Sequence, residues 1–388
     1  MEWKRRMSLI IDRDYYNKLD IEGFSLMMKN PSYCYKFYWL EAIVQLISEG
    51  RTFATYDDII NEMIANAWFP VLEYHVHLSG IFGDAQIKDN LERAVVKLHS
   101  LSDLLNNASK VEIKNQIAVY DKELHAEKME LTKNVPIKAL SGFANKGDEK
   151  ISLDSSAKRM MAYYNKLNEM YTKLPYVFGE ESGLKRNISF NADWVQMIQD
   201  NTVSILGWIQ YEKTKWLQNN NPEIPGLVYK LSSNDEKVRK LDNVRKLWEG
   251  ILDTKVVIDV FKDEPIEKGK YDIDHFIPWS FVMNDELWNL MPMDSSLNSS
   301  KSNKLPKWNP FFNRFAGNQY LMYTMIHSED TYQIRKLYEA CYRDNLHSIW
   351  ANQELYRKGN SKDEFYNILE KNMMPVYESA RRQGYEVW

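Results

Sequence analysis

The 388-residue chain has little cysteine: Cys34 and Cys341, far apart. That excludes a CxxC zinc knuckle and a disulfide framework, and it fits a reducing compartment. Long apolar runs are missing too. None spans a bilayer, and the run behind the basic start MEWKRRMSLIIDRDYY is too short for a signal peptide. A cytoplasmic protein with no membrane segment is expected. Phosphate-binding glycine loops are absent: neither GxxxxGK before Ser or Thr nor GxGxxG occurs. Nothing therefore points to ATP or dinucleotide binding. Positive charge is not in excess either. The net charge is −4, so any hold on nucleic acid has to come from a local basic face.

What is present describes a folded, mainly α protein. The chain is long enough for two or three domains. Its 12 Trp and 24 Tyr fit large helical cores, with partner surfaces as the second use of such residues. Tyr35–Ser48 is apolar nearly all round and reads as a buried helix stopped by Gly50. Thr55 with Asp58 reads as an N-cap, and Ser109 with Glu112 as a capping box. Pro136, Gly142 and Gly147 mark a loop and a candidate boundary, with a second helical block from about Ser155. Asn191 is expected to cap one long helix reaching the NNNPEIPG loop. Ser233 and Glu236 are expected to box a further helix running to Trp248. The texture then changes. KVVIDVF, at 255–261, alternates like a strand, DEPIEKGK turns with Gly269 at positive φ, and YDIDHF returns. A short helix is expected after Asn298, and helix from Asn318 onward.

The window YDIDHFIPWSFVMNDELWNLMPMDSSLNSSKSNKLP, at 271–306, gathers the chemistry. Asp274 and His275 are adjacent, Asn289 follows 14 residues after His275 and Asn298 23 residues after it, and Lys301 comes just beyond. An acid beside a histidine can hold a hard cation while the imidazole takes a proton from water, which is what phosphodiester hydrolysis needs. Elsewhere the histidines have simpler readings. His75 and His77 lie in a segment that reads as helical, where residues two apart do not face each other.

This window resembles the ββα-metal module of HNH endonucleases, on Asp274, His275, Pro278, Asn289, Asn298 and Lys301. The spacing is most similar to that of the HNH domain of RNA-guided CRISPR effector nucleases, and the likeness covers roughly 250–315. The resemblance implies His275 as general base and Asp274 and Asn298 as ligands of one divalent cation, Mg²⁺ with Mn²⁺ as substitute. It also implies Asn289 as a brace of the catalytic loop and Lys301 as a phosphate or transition-state contact. No structural zinc is expected. Lys301, Lys304, Lys307 and Arg314 lie in a stretch without acidic residues, 299–318, that includes Trp308, Phe311 and Phe312. That stretch is expected to track a phosphate backbone.

Three parts follow: a helical domain at 1–240 for targeting, partner or oligomer contacts, the HNH module at 241–320, and a helical segment at 321–388. The pattern resembles bacterial HNH proteins of phage defence or restriction, acting on nucleic acid, DNA before RNA, with a protein partner or a second copy. Two rivals stand beside it. One is a non-catalytic binding or assembly subunit with a vestigial module, and the other an RNA-cleaving toxin.

Overall fold

The computed structural model describes residues 9–29, 31–80, 89–147, 151–231 and 239–388. It is mainly α, with five short strands among the described residues. The chain divides into two compact units. One comprises Met1–Pro222 with Leu227–Ser233, the other Glu223–Gly226 with Asn234–Trp388. No described helix is long and apolar enough to cross a membrane.

The first unit is built around the helix Tyr35–Ser48, whose Phe37, Trp39, Ile43 and Ile47 are all buried. Gly50 ends it at φ +89°, a conformation that costs glycine nothing. Thr55 and Asp58 form a reciprocal capping box on the helix Tyr56–Leu72, and Ser109 and Glu112 form another on Lys110–Val119. The next helix, Asp121–Ala139, runs through Pro136, where the sequence suggests a loop. The expected single helix behind Asn191 is two, Ala192–Asp200 and Thr202–Asn220, broken at Asn201. Ser233 and Glu236 lie outside the described residues; a helix is present at Asp242–Leu252. The segment around His75 is irregular rather than helical: the helix stops at Leu72 and His75 takes φ +52°.

A small antiparallel sheet escapes the sequence reading. β1 (Phe53–Thr55) and β2 (Tyr176–Phe178) flank β3 (Asn187–Phe190), with Ala54 and Phe178 both in register with Ile188. The strands hold three or four residues each, and β1 pairs with β3 across more than a hundred positions of sequence, so no periodicity is left to read.

The second unit centres on an antiparallel pair, β4 (Tyr271–His275) and β5 (Leu290–Asp294). This corrects the expected hairpin. KVVIDVF is not a strand and retains a single bridge, Ile258 to Pro265. The cause is Asp259, whose Oδ1 accepts the amides of Phe261 and Lys262 and folds the chain into a turn. The true partner, LMPMD, is almost wholly buried and carries Pro292, so it lacks the alternation of a strand. Gly269 does take positive φ, at +79°. Two strands alone are marginal in water. Here Tyr271, Ile273, Leu290 and Met293 enter one core with Trp248, Phe312, Phe315, Phe365, Met373 and Tyr377. Residues beyond 320 therefore share the core of the hairpin.

Candidate active site

The pleat of β4 sorts the motif. Tyr271, Ile273 and His275 are buried, while Asp272 and Asp274 between them are half-buried and share the other face. The helix Ser295–Lys301 packs on β4 and β5, with Asp294 as its N-cap accepting from the amides of Ser296 and Leu297. Asn298 lies inside this helix rather than ahead of it.

Asn289 is fully buried and bonds both ends of one residue. Its Oδ1 accepts from Ile277 N at 2.8 Å, and its Nδ2 donates to Ile277 O at 2.8 Å. The side-chain amide thus imitates a strand partner and closes the loop that follows His275.

The His275 ring is 1% exposed. Its Nε2 lies 3.1 Å from Asn284 O. A carbonyl only accepts, so Nε2 carries the proton and a neutral ring bears its lone pair at Nδ1. Nδ1 is buried and has no hydrogen-bond partner among the described residues. Asp285 Oδ1 also lies 3.1 Å from Nε2, while its Oδ2 accepts the Lys240 amide at 2.7 Å. Burial works to raise the Asp285 carboxyl, but the His275 ring, the Lys240 amide and the Arg239 charge outweigh it and hold it below the ordinary carboxylate range.

A hairpin, a helix across it, and an Asp-His pair with a bracing Asn are now in place, and residues 259–307 match the family profile of HNH endonucleases. The chain carries an HNH endonuclease module. Comparison with curated proteins and with solved structures finds no match.

The structure places the lysine of the HNH module differently from what the family resemblance implies. Lys301 is fully buried, and its ammonium donates to Asp274 Oδ2 and to His275 O, both at 2.8 Å. An ammonium enclosed and bonded in this way is not presented to a phosphate. The expected basic track is also altered. The stretch lacks acids in sequence, but the fold supplies them: Lys304 pairs with Glu386, and Arg314 with Asp263 and Val260 O. Trp308 stacks on Phe312 at 4.3 Å and meets Phe276 and Tyr377, so these rings fill the core rather than offer a stacking platform. Lys307 stays exposed.

A divalent cation is implied by the HNH family, and the donor chemistry fits one. Asp274 is 13% exposed and Lys301 engages its Oδ2. Asn298 is half-buried, and its Nδ2 donates to Asp272 Oδ2 at 3.4 Å. One carboxylate and one amide oxygen form a hard, oxygen-only set of the kind Mg²⁺ accepts alongside several waters. Sequence reasoning passes over Asp272, although its place two residues before Asp274 puts it on the same face. It also passes over Asn284 and Asp285, whose approach to His275 depends on the fold of the loop.

Proposed function

We propose that the module is a metal-dependent endonuclease that hydrolyses phosphodiester bonds, with DNA as the favoured substrate. The observation that carries this reading is the His275 ring, whose proton is fixed on Nε2 by a carbonyl and whose Nδ1 is left without a partner. Nδ1 would take a proton from water as the water oxygen bonds to phosphorus and the bond from phosphorus to the 3′ oxygen breaks. Asp274 and Asn298 would hold the cation. When bound, it supplies charge neutralisation at the phosphoryl and leaving oxygens. Asn289 would keep the loop after His275 in place, and Lys301 would fix Asp274 and the main chain at His275. Lys307 is the exposed cation left as a backbone contact.

Because the ring is buried, hydrolysis needs the cover over Nδ1 to part when nucleic acid docks. That same burial favours the rival reading, a module retained only for binding. The helical region at 1–240 is proposed to set where and when the module acts, through a partner or a second copy, in bacterial defence or restriction. The near-neutral net charge supports this, since a nuclease searching alone gains from a broad positive surface.

The test uses full-length protein on plasmid DNA and on RNA, with Mg²⁺ or Mn²⁺ and with EDTA. Wild type should cut DNA and stop in EDTA. His275→Ala should lose roughly 10²–10⁴-fold in rate with binding intact. Cleavage of DNA by His275→Ala at the wild-type rate would falsify the base assignment. Binding without cleavage by wild type would establish the rival, and cleavage confined to RNA would reassign the substrate.

A further inference from the structure

Asp272 has no role in the mechanism above, and its placement asks for one. It shares a face of β4 with Asp274, and its Oδ2 accepts from Asn298 Nδ2 at 3.4 Å. An ionised carboxylate can only accept. The half of Asn298 turned toward it must therefore be the NH₂, because the carbonyl half would meet it oxygen to oxygen. That leaves Asn298 Oδ1, the half able to ligate a cation, pointing away from Asp272. Lys301 treats the other proposed ligand in the same manner, holding Asp274 by Oδ2. Each side chain of the proposed pair is thus gripped at one half.

We propose that Asp272 is a positioning residue that fixes the Asn298 amide so that its oxygen faces the cation. This rests on the assignment of Asp274 and Asn298 as ligands. An unrestrained amide turns over at little cost and presents NH₂, which repels a cation. Loss of a group that orients a ligand in this way typically costs about ten- to hundredfold in metal affinity or activity. The role requires an acceptor at position 272 and does not require a charge. Asn at 272 can accept from Asn298 through its own oxygen, whereas Ala cannot.

The experiment is a Mn²⁺ titration of the full-length protein without nucleic acid, with free Mn²⁺ read by electron paramagnetic resonance. Asp272→Ala should weaken binding about ten- to hundredfold, while Asp272→Asn should bind close to wild type. Asp272 is half-buried, and melting curves of both variants should match wild type. Equal loss in the Asn and Ala variants would show that Asp272 acts through its charge, as a ligand, and would overturn the inference. Asp274→Ala separates the two levels. If it binds Mn²⁺ like wild type, the ligand assignment falls and takes this inference with it. If it loses binding while Asp272→Ala does not, only the role of Asp272 is refuted.

Discussion

The two units differ in how they satisfy many of their buried polar side chains, although Asn221 of the first bonds His77 at both ends much as Asn289 bonds Ile277 in the second. In the first, each buried charge meets an opposite charge on another side chain: Lys213 meets Glu41, Lys128 meets Asp57 and, within its own helix, Asp121, and Glu62 meets Lys110 and Lys114. In the second, apart from the pair of Lys301 with Asp274, buried polar groups chiefly serve the backbone. Asn289 bonds Ile277 at both ends, Gln319 donates to Leu290 O, and Asn345 donates to the carbonyls of Lys240 and Asp285. Glu286 accepts the amides of His347 and Ser348, and Asp259 those of Phe261, Lys262 and Asp294. Helices satisfy their own main chain, so a buried charge among them needs another side chain. A hairpin with long loops leaves amides and carbonyls unpaired, and side chains must supply the missing bonds.

The largest effect should come from cutting the second unit short. Its loops are held by residues far along the chain, and Phe365, Leu369, Met373, Tyr377 and Tyr385 belong to the core of the hairpin. A fragment spanning 245–320 should show no cooperative melt by circular dichroism, whereas one spanning 239–388 should melt sharply. A cooperative melt of the shorter fragment would mean that the distant helices are dispensable.

Next in size is the ion pair of the first unit. Lys213→Met strands the Glu41 carboxylate and should cost about 3–5 kcal/mol in urea unfolding. Adding Glu41→Leu should recover most of that, since an apolar pair can replace a buried salt bridge. Failure of the double variant to recover would point to Gln210, whose side-chain amide also donates to Glu41, as the partner left unsatisfied. Asn289→Ala should cost about 3 kcal/mol, with two buried groups of Ile277 left unbonded. Here no second side-chain change should compensate, because the partner is main chain. A suppressor at a neighbouring side chain would break the contrast between the units.

The smallest effect concerns acid. Burial pushes the Asp89 carboxyl up to about 6. Its charged form is therefore disfavoured in the fold, and that cost grows as pH rises from about 4 through 6. Asp89→Asn keeps an acceptor at the N-cap of Asn90–Leu101 and should melt higher than wild type at pH 7 but not at pH 4. Asp294 behaves in the opposite sense. Lys262 and Ser296 hold its carboxyl well below the usual range. Its stabilisation is present above the ordinary carboxylate pKa and lost as pH falls below it. Asp294→Asn should melt lower than wild type at pH 7, with the gap closing in acid. The same pH trend in both variants would contradict the assignment.

Much of the HNH motif was legible because its residues are close in sequence, with turn and capping residues between them. The pairing of its strands was not. Alternation at 255–261 imitates a strand that Asp259 folds into a turn, while the strand actually used is buried on both sides and shows no alternation. The fate of Lys301 was hidden for a related reason. A lysine near a phosphate site reads as a phosphate ligand until the fold places its ammonium under Asp274 and the His275 carbonyl. Lys304 and Arg314 lie in an acid-free stretch, yet Glu386 and Asp263 reach them from elsewhere in the chain. Asp272, by contrast, could have been found by counting in twos along the strand.

That count has a consequence for how the site can change. Asp274 and His275 lie on opposite faces because a strand sends adjacent side chains to opposite sides. One residue inserted between Tyr271 and Asp274, with the pairing of Tyr271 to Asp294 kept, would exchange those faces and send a carboxylate into the core. Two inserted residues would lengthen the strand and leave each side chain on its own side. The strand therefore carries a parity rule: even insertions preserve the face of each side chain and odd ones exchange it.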